Sequence, residues 1–145
     1  MSDIVVNRTG IEAYYTSVRE RHVFNTATDL VIGTSVEFDD TQELRTCKPY
    51  AGGKFAGIVC HTDDHVYDET ANTKTVKAPA TVSLLSKGNM WVIAGEAVKA
   101  GDQAGLDSTG KFVLAATGTK INAHFETAAA ANEEVILVLD NLNKV

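Results

Sequence analysis

The sequence predicts an all-β fold, a single β-sandwich or jelly-roll-like barrel with an N-terminal arm or short helix. From Asp29 onward, short runs alternate apolar and polar residues, which is the period of strands whose side chains point to opposite faces of a sheet. Turn residues separate these runs, and many short strands divided by turns are typical of sandwiches and barrels. We therefore expect an arm over residues 1–28 and one β-domain over residues 29–145.

The stretch that organises this prediction is residues 81–107, for which we expect a central hairpin. Gly and Asn tolerate the positive φ that tight turns require. Strands are predicted at residues 82–85 and 90–94, and residues 86–89 are predicted to form the turn that joins them. Side-chain alternation then places Trp91 and Ile93 on one face of the second strand and Met90 and Val92 on the other.

The remaining elements follow from the same patterns. Further strands are predicted at residues 30–32, 35–38, 55–60, 75–78, 104–106, 112–114, 121–126 and 134–139. Residues 40–53 are predicted as a loop with at most a short strand around Leu44, and residues 61–73 as a surface loop or weak hairpin. The alanine-rich residues 127–131 suit either one helical turn or a wide loop.

The N-terminal segment carries large apolar side chains outside the predicted β-domain. Residues 9–12 have the form of a helix capping box, and Ile11, Tyr14, Tyr15 and Val18 follow at the spacing of one helical face. Gly in the first turn and adjacent tyrosines favour an extended arm almost equally. In either form, the segment is suited to packing on a surface other than its own core.

Charge and composition exclude several classes of partner. The formal net charge is −6, whereas proteins that neutralise phosphates carry concentrated Lys and Arg, so we expect no nucleic acid partner. No apolar run approaches the ~20 residues that span a bilayer, and no export signal opens the chain. We therefore expect synthesis in a cytoplasm, no membrane association, and reduced, buried Cys47 and Cys60.

The strongest candidate for a metal site is His61-Thr62-Asp63-Asp64-His65. Imidazole nitrogens and carboxylate oxygens suit zinc, nickel or manganese. The spacing is not a recurrent metal-binding signature, however, so a solvated loop is the favoured interpretation. The sequence also contains no nucleophile elbow and no phosphate-binding glycine loop. We therefore expect no catalytic residues, no metal and no cofactor.

Several segments, taken in order, resemble the structural cement (capsid decoration) proteins of tailed bacteriophages. That family has loosely a G-x-V/W-V strand, a V-x-x-G-D-x-V turn, a turn with an acidic residue and Gly, and a closing apolar strand. The matching segments here cover roughly the second two-thirds of the chain: Gly-Ile-Val at 57–59, Leu-Ser-Lys-Gly-Asn-Met-Trp-Val at 85–92, Ala-Val-Lys-Ala-Gly-Asp-Gln-Ala at 97–104, Asp-Ser-Thr-Gly-Lys-Phe at 107–112 and Val-Ile-Leu-Val-Leu at 135–139.

The resemblance implies a non-enzymatic structural protein of the virion, made in the host cytoplasm. Such a protein binds the outside of the phage head and stabilises contacts between subunits of the major capsid protein. Because decoration sites lie at symmetry points of the shell, we expect a homodimer or homotrimer. We expect capsid contacts from residues 2–24, with Tyr14, Tyr15 and Val18 as the main interface side chains.

Three alternatives remain open at the level of sequence. A biotinyl or lipoyl carrier domain is suggested by residues 98–101, and would need a modified lysine such as Lys87 at the tip of an exposed hairpin. A metal-dependent enzyme would be built on His61, Asp63, Asp64 and His65. Another virion part, such as a head-fibre base or tail component, has no sequence signal that separates it from a cement protein.

Overall fold

The computed structural model describes residues 8–14, 19–41, 45–61, 67–70 and 73–140, and these ranges contain strands and no helix. The all-β prediction is confirmed. Since none of these ranges is helical, none contains a helix that could cross a membrane. The strands are β1 Glu20–Thr26, β2 Leu30–Val31, β3 Ser35–Phe38, β4 Thr46–Pro49, β5 Phe55–Val59, β6 Tyr67–Thr70, β7 Thr73–Val76, β8 Ala80–Ile93, β9 Gln103–Leu106, β10 Phe112–Leu114, β11 Thr119–Phe125 and β12 Glu134–Leu139.

The longest strand, β8, is shared by two closed rings of strands. The first ring has the order β1-β4-β3-β5-β8 and closes because β1 also pairs with β8. The second ring has the order β8-β12-β11-β9-β10. It closes through a parallel bridge between Ala94 and Phe112, where Gly95 N donates to Phe112 O at 2.7 Å. A smaller sheet, β2-β7-β6, packs beside the first ring.

The predicted hairpin turn at residues 86–89 is wrong, because β8 runs straight through it. Three of the four predicted turn residues, Ser86, Gly88 and Asn89, are instead buried within β8. In the register with β1, Glu20 pairs with Lys87 and Arg21 with Leu85, so no residue of β1 lies opposite Ser86, and a bulge of this kind bends a strand. The Oγ of Ser86 donates to Glu20 O at 3.4 Å. Gly88 has a φ of 125° but still pairs with β12, and Asn89 is buried.

The predicted faces of the second half of β8 are confirmed. Met90 and Val92 are fully buried, whereas Trp91 is half-buried and Ile93 is 40% exposed. Lys87 lies within β8 and is half-buried. It is therefore not at the tip of an exposed hairpin, the position that a carrier domain requires.

Most other strand predictions agree with the structure to within a few residues. Two strands differ: β4 lies beyond the position expected around Leu44, which is outside the described residues, and β1 occupies the end of the expected arm. Both are needed to close the first ring, where they pair in parallel. The uncertain residues 61–73 contain β6 and the start of β7, which form an antiparallel hairpin. The alanine-rich segment is a loop joined to Val98 by a bridge at Ala129.

Two apolar clusters fill the fold. One lies in and beside the first ring and includes Phe24, Val36 and Leu84, together with residues of the small sheet. The other fills the second ring and extends to Tyr50 and Ile58 of the first. The rings also meet at a turn, where Ser35 Oγ donates to Gly110 O at 2.7 Å. Each ring is thus fixed to the other through β8 and through this turn.

We expect Gly110→Ala to destabilise the protein more than Gly101→Ala. Both glycines have a positive φ, of 87° and 91°, so both substitutions introduce backbone strain of about 1–2 kcal/mol. A Cβ at Gly110 would also lie 2.8 Å from Ser35 Oγ, whereas a Cβ at Gly101 meets no atom within 4 Å. Urea unfolding of both variants measures the difference, and equal losses would show that the turn does not secure the two rings.

Candidate functional site

The described N-terminal residues 8–14, here called the strap, lie against β8. Gly10 N donates to Trp91 O at 2.8 Å, and Trp91 N donates to Ile11 O at 3.0 Å. The strap therefore covers the edge of β8 opposite β12. It also reaches the end of β5, since His61 N donates to Gly10 O at 2.9 Å. Gly10 has a φ of 84°, and a Cβ there would lie 2.0 Å from Ile32 Cγ2, so only glycine allows this close approach.

The side chain of Asn89 fixes the end of the strap. Its Oδ1 accepts hydrogen bonds from Ala13 N at 2.9 Å and Tyr14 N at 3.1 Å, and its Nδ2 donates to Tyr14 O at 3.1 Å. Asn89 is buried, and an amide buried without partners would be costly. Its position in β8 therefore determines where Tyr14 lies.

Charged groups hold the strap at both ends. Arg8 stacks over the ring of Trp91, with its guanidinium carbon 3.6 Å from the centroid, and its Nε lies 3.3 Å from Glu134 Oε1. Arg8 N also donates to Glu134 Oε2 at 2.8 Å. Near the other end, Glu12 Oε1 accepts hydrogen bonds from both Arg19 and Arg21. These contacts fix the strap residues before any partner binds.

Tyr14 extends across the outer surface of the second ring. Its backbone is held at β8, whereas its hydroxyl donates to Glu126 Oε2, beyond the end of β11, at 2.7 Å. Since β12 lies between β8 and β11 in the sheet, the ring of Tyr14 spans β12. The hydrogen bond to Glu126 raises the pKa of Tyr14, and partial burial and the charge of Glu126 act in the same direction. An open depression of about 240 Å³ lies beside it, lined in part by Lys87, Val138 and Asp140.

The strap and the outer face of the second ring together carry a group of apolar side chains, here called the strap face. Trp91 lies directly opposite Ile136, and Val138 lies opposite Asn89. Two strap side chains remain exposed beside them, Ile11 at 41% and Tyr14 at 46%. The full apolar set is Ile11, Tyr14, Trp91, Ile93, Ile136 and Val138.

Charged groups surround this apolar centre. Arg8 and Glu134 are paired at one side, Glu126 accepts from Tyr14, and His124 Nδ1 lies 3.3 Å from Asp140 Oδ2. An apolar centre with a polar rim is the usual arrangement of a protein interface, and Trp, Tyr and Arg are the residues most often important for binding there. The geometry therefore fits a protein-binding surface.

The predicted interface residues are only partly within the described structure. Tyr14 lies on the strap face, whereas Tyr15 and Val18 lie outside the described residues. Sequence reasoning missed the contributions of Ile136 and Val138. A signal was present, because residues 135–139 are apolar at every position, and a strand that is apolar on both faces is normally covered on both.

The possible metal site is described only at His61, whose Nε2 lies 3.2 Å from Lys74 Nζ. Asp63, Asp64 and His65 lie outside the described residues. Within the described ranges, no group of three or more His, Cys, Asp and Glu side chains could hold a metal ion. Cys47 and Cys60 are free and buried, and burial raises the pKa of each thiol to about 11.

Comparison with known proteins decides the family. A family model described as structural cement protein (E217 gp24/Pam3 gp6) matches residues 10–140. The chain belongs to this family. This cement protein therefore has a structural role in the phage virion, where it binds components of the capsid. The resemblance inferred from the order of the matching sequence segments between residues 57 and 139 is confirmed.

Two solved phage structures share the fold of this cement protein. The capsid of Myoviridae Phage XM1 matches with a TM-score of 0.64 and 15% identity, over 98% of this chain and 93% of that chain. The head fiber gp8.5 N base of bacteriophage phi29 matches with a TM-score of 0.52 and 14% identity, over 88% of this chain and 100% of that chain. No curated protein matches the sequence.

We expect Asn89→Ala to release the strap. The substitution removes three hydrogen bonds, so the free energy of unfolding should fall by roughly 2–4 kcal/mol, and trypsin should cleave after Arg8 faster. Asn25→Ala is the matched control, since Asn25 is exposed on β1 and accepts one bond from Thr81 Oγ1 at 3.3 Å. Equal proteolysis of the two variants would contradict the role given to Asn89.

Proposed function

We propose that this cement protein acts without catalysis, binding the outside of the phage head through the strap face. By contacting adjacent subunits of the major capsid protein, it stabilises their contacts. The observation that supports this most strongly is the fixed exposure of Ile11 and Tyr14 on a strap held by Asn89 and Glu12. A protein that bound no partner would not need two large apolar side chains to be held exposed to water.

Holding these side chains in place favours tight binding. A disordered arm loses conformational entropy when it binds, and this loss subtracts from the affinity. Tyr14 is held at its backbone by Asn89 and at its hydroxyl by Glu126, so little further ordering is needed. The capsid subunit would gain contact with a preformed apolar centre.

The interface extends in this proposal to Tyr15 and Val18. The described residues on either side of them are fixed, Tyr14 by Asn89 and Arg19 by Glu12. In the sequence, Tyr15 and Val18 lie between these two fixed positions. Their apolar character would add contact area next to Ile11 and Tyr14.

Stabilisation of the shell follows from selective affinity. A ligand shifts a conformational equilibrium only by the difference in its affinity for the two states. A cement protein that binds the mature arrangement of subunits, and not a loosened one, makes opening of the shell less favourable. Many copies on one shell make a moderate energy per copy large in total.

A head-fibre base is the second candidate function. It is favoured by the match to the phi29 head fiber N base, all of which is covered by the alignment. A fibre base also attaches to a capsid, so the strap face would serve in either case. The two functions differ in whether a further protein is attached to the bound chain, which a reconstruction of the particle would show directly.

We expect the double substitution Ile11→Ala and Tyr14→Ala to weaken binding to expanded phage heads that lack this protein by at least about tenfold, because central aromatic contacts commonly contribute 2 kcal/mol or more. Co-sedimentation with the heads measures the occupancy. Val23→Ala is the control, since Val23 is 57% exposed but lies on β1 of the first ring.

The variant Tyr14→Phe keeps the ring and removes the hydrogen bond to Glu126. It therefore separates the contribution of the aromatic contact to binding from that of the hydrogen bond that holds the side chain. Undiminished occupancy by the double variant, with its melting temperature unchanged, would refute binding through the strap face. Loss of binding by Val23→Ala as well would point to general destabilisation.

The proposed assembly state is a homodimer or homotrimer at symmetry points of the shell, made in the host cytoplasm before it joins the head. Sedimentation velocity of the free protein, and of the protein extracted from heads, should show two or three copies. A monomer in both preparations would contradict this assembly state.

A further inference from the structure

Almost every strand edge in the described structure is covered by another segment. The first ring closes between β1 and β8, and the strap covers the edge of β8 at Trp91. The outer side of β10 is covered by Gly95, which donates to Phe112 O, and by Glu96, whose carboxylate accepts from Leu114 N at 3.0 Å. At β2, Val31 O accepts from Thr34. Natural proteins cover edges in this way because an open edge is a template for another strand.

The exception among the described strands is β6, the outermost strand of the order β2-β7-β6. Ile32 N donates to Lys74 O at 2.9 Å, so Lys74 bonds toward β2. Neighbouring residues of a strand bond to opposite sides. Thr73 and Thr75 therefore bond toward β6, where their partners are Thr70 and Asp68.

The same alternation fixes the direction of the other two residues of β6. The backbone N–H and C=O groups of Tyr67 and Glu69 must point away from β7. No described segment pairs with this side of β6. The edge thus presents two donors and two acceptors at the spacing of a strand.

We propose that the outer edge of β6 receives an extended segment of a capsid subunit as an added strand, and that this segment carries Lys or Arg. The inference rests on the proposed capsid attachment and gives the chain a second contact, separate from the strap face. A protein that holds two subunits together needs two surfaces. Strand addition suits this role because backbone bonds supply affinity while alternate side chains supply specificity.

The sequence around β6 indicates the chemistry of the added strand. β6 itself carries two carboxylates, Asp68 and Glu69, and no Lys or Arg, and Lys74 of β7 lies opposite Glu69. Like charges placed opposite each other destabilise strand pairs, and opposite charges stabilise them. Pairing between the β6 strands of two copies is therefore disfavoured, whereas a basic segment from the shell is favoured.

The test uses Glu69→Pro in the full chain. Proline removes the outward N–H of residue 69, and an edge strand tolerates proline where its N–H faces solvent, so the hairpin with β7 is retained. We expect binding to expanded heads to weaken by about tenfold, from the lost hydrogen bond and the obstructed edge. Glu69→Gln is the matched control: it keeps the N–H, and should change mainly the salt dependence of binding.

Amide exchange provides a second measurement that does not depend on a variant. Exchange of the peptide spanning residues 67–70 should slow when the unaltered chain is bound to heads. Undiminished binding by a folded Glu69→Pro variant, or unchanged exchange of this peptide on heads, would overturn the proposal. A change in the oligomeric state of free Glu69→Pro would instead assign the edge to a second copy and likewise overturn it.

The outcomes also separate this proposal from the proposed function. If the unaltered chain does not bind heads, capsid attachment itself fails. If the unaltered chain binds, Ile11→Ala with Tyr14→Ala reduces binding, and Glu69→Pro does not, then attachment through the strap face stands and only the edge proposal fails.

Discussion

The fold depends on the backbone hydrogen bonds of one strand, β8. Over its length, β8 pairs with β1 and β5 in the first ring and with β12 in the second, and the strap covers its remaining edge. A buried backbone group without a partner would cost free energy comparable to a lost hydrogen bond. Both rings and the N-terminal residues are therefore coupled, because each satisfies a different part of the same strand.

This coupling explains why the turn prediction at residues 86–89 is wrong. Gly88 and Asn89 are typical turn residues, yet here the glycine pairs with β12 inside a continuous strand and the amide of Asn89 bonds to a segment 75 and 76 residues away. Nothing in the local sequence reveals these distant partners. Alternation, in contrast, correctly predicted the faces of Met90 and Trp91, because side-chain direction depends only on the strand itself.

The first ring shows the same limit. β1 has few apolar side chains, and only Phe24 among them is buried, so its strand character arises from pairing with β8 and β4 and not from a hydrophobic pattern. The surface was predictable only in part. The spacing of Ile11 and Tyr14 in the N-terminal segment predicts a contact role for Tyr14, whereas the apolar side chains beside it on β8 and β12 depend on the register of those strands, which no sequence spacing specifies.

The position of Trp91 has a practical consequence for spectroscopy. It is the sole tryptophan of the chain, and the guanidinium of Arg8 rests on its ring. Indole emission responds to adjacent charge and to water, so the intrinsic fluorescence of this protein arises at the junction of the strap and the second ring. The fluorescence of the native chain therefore reports whether the strap is bound to β8, and no attached dye is required.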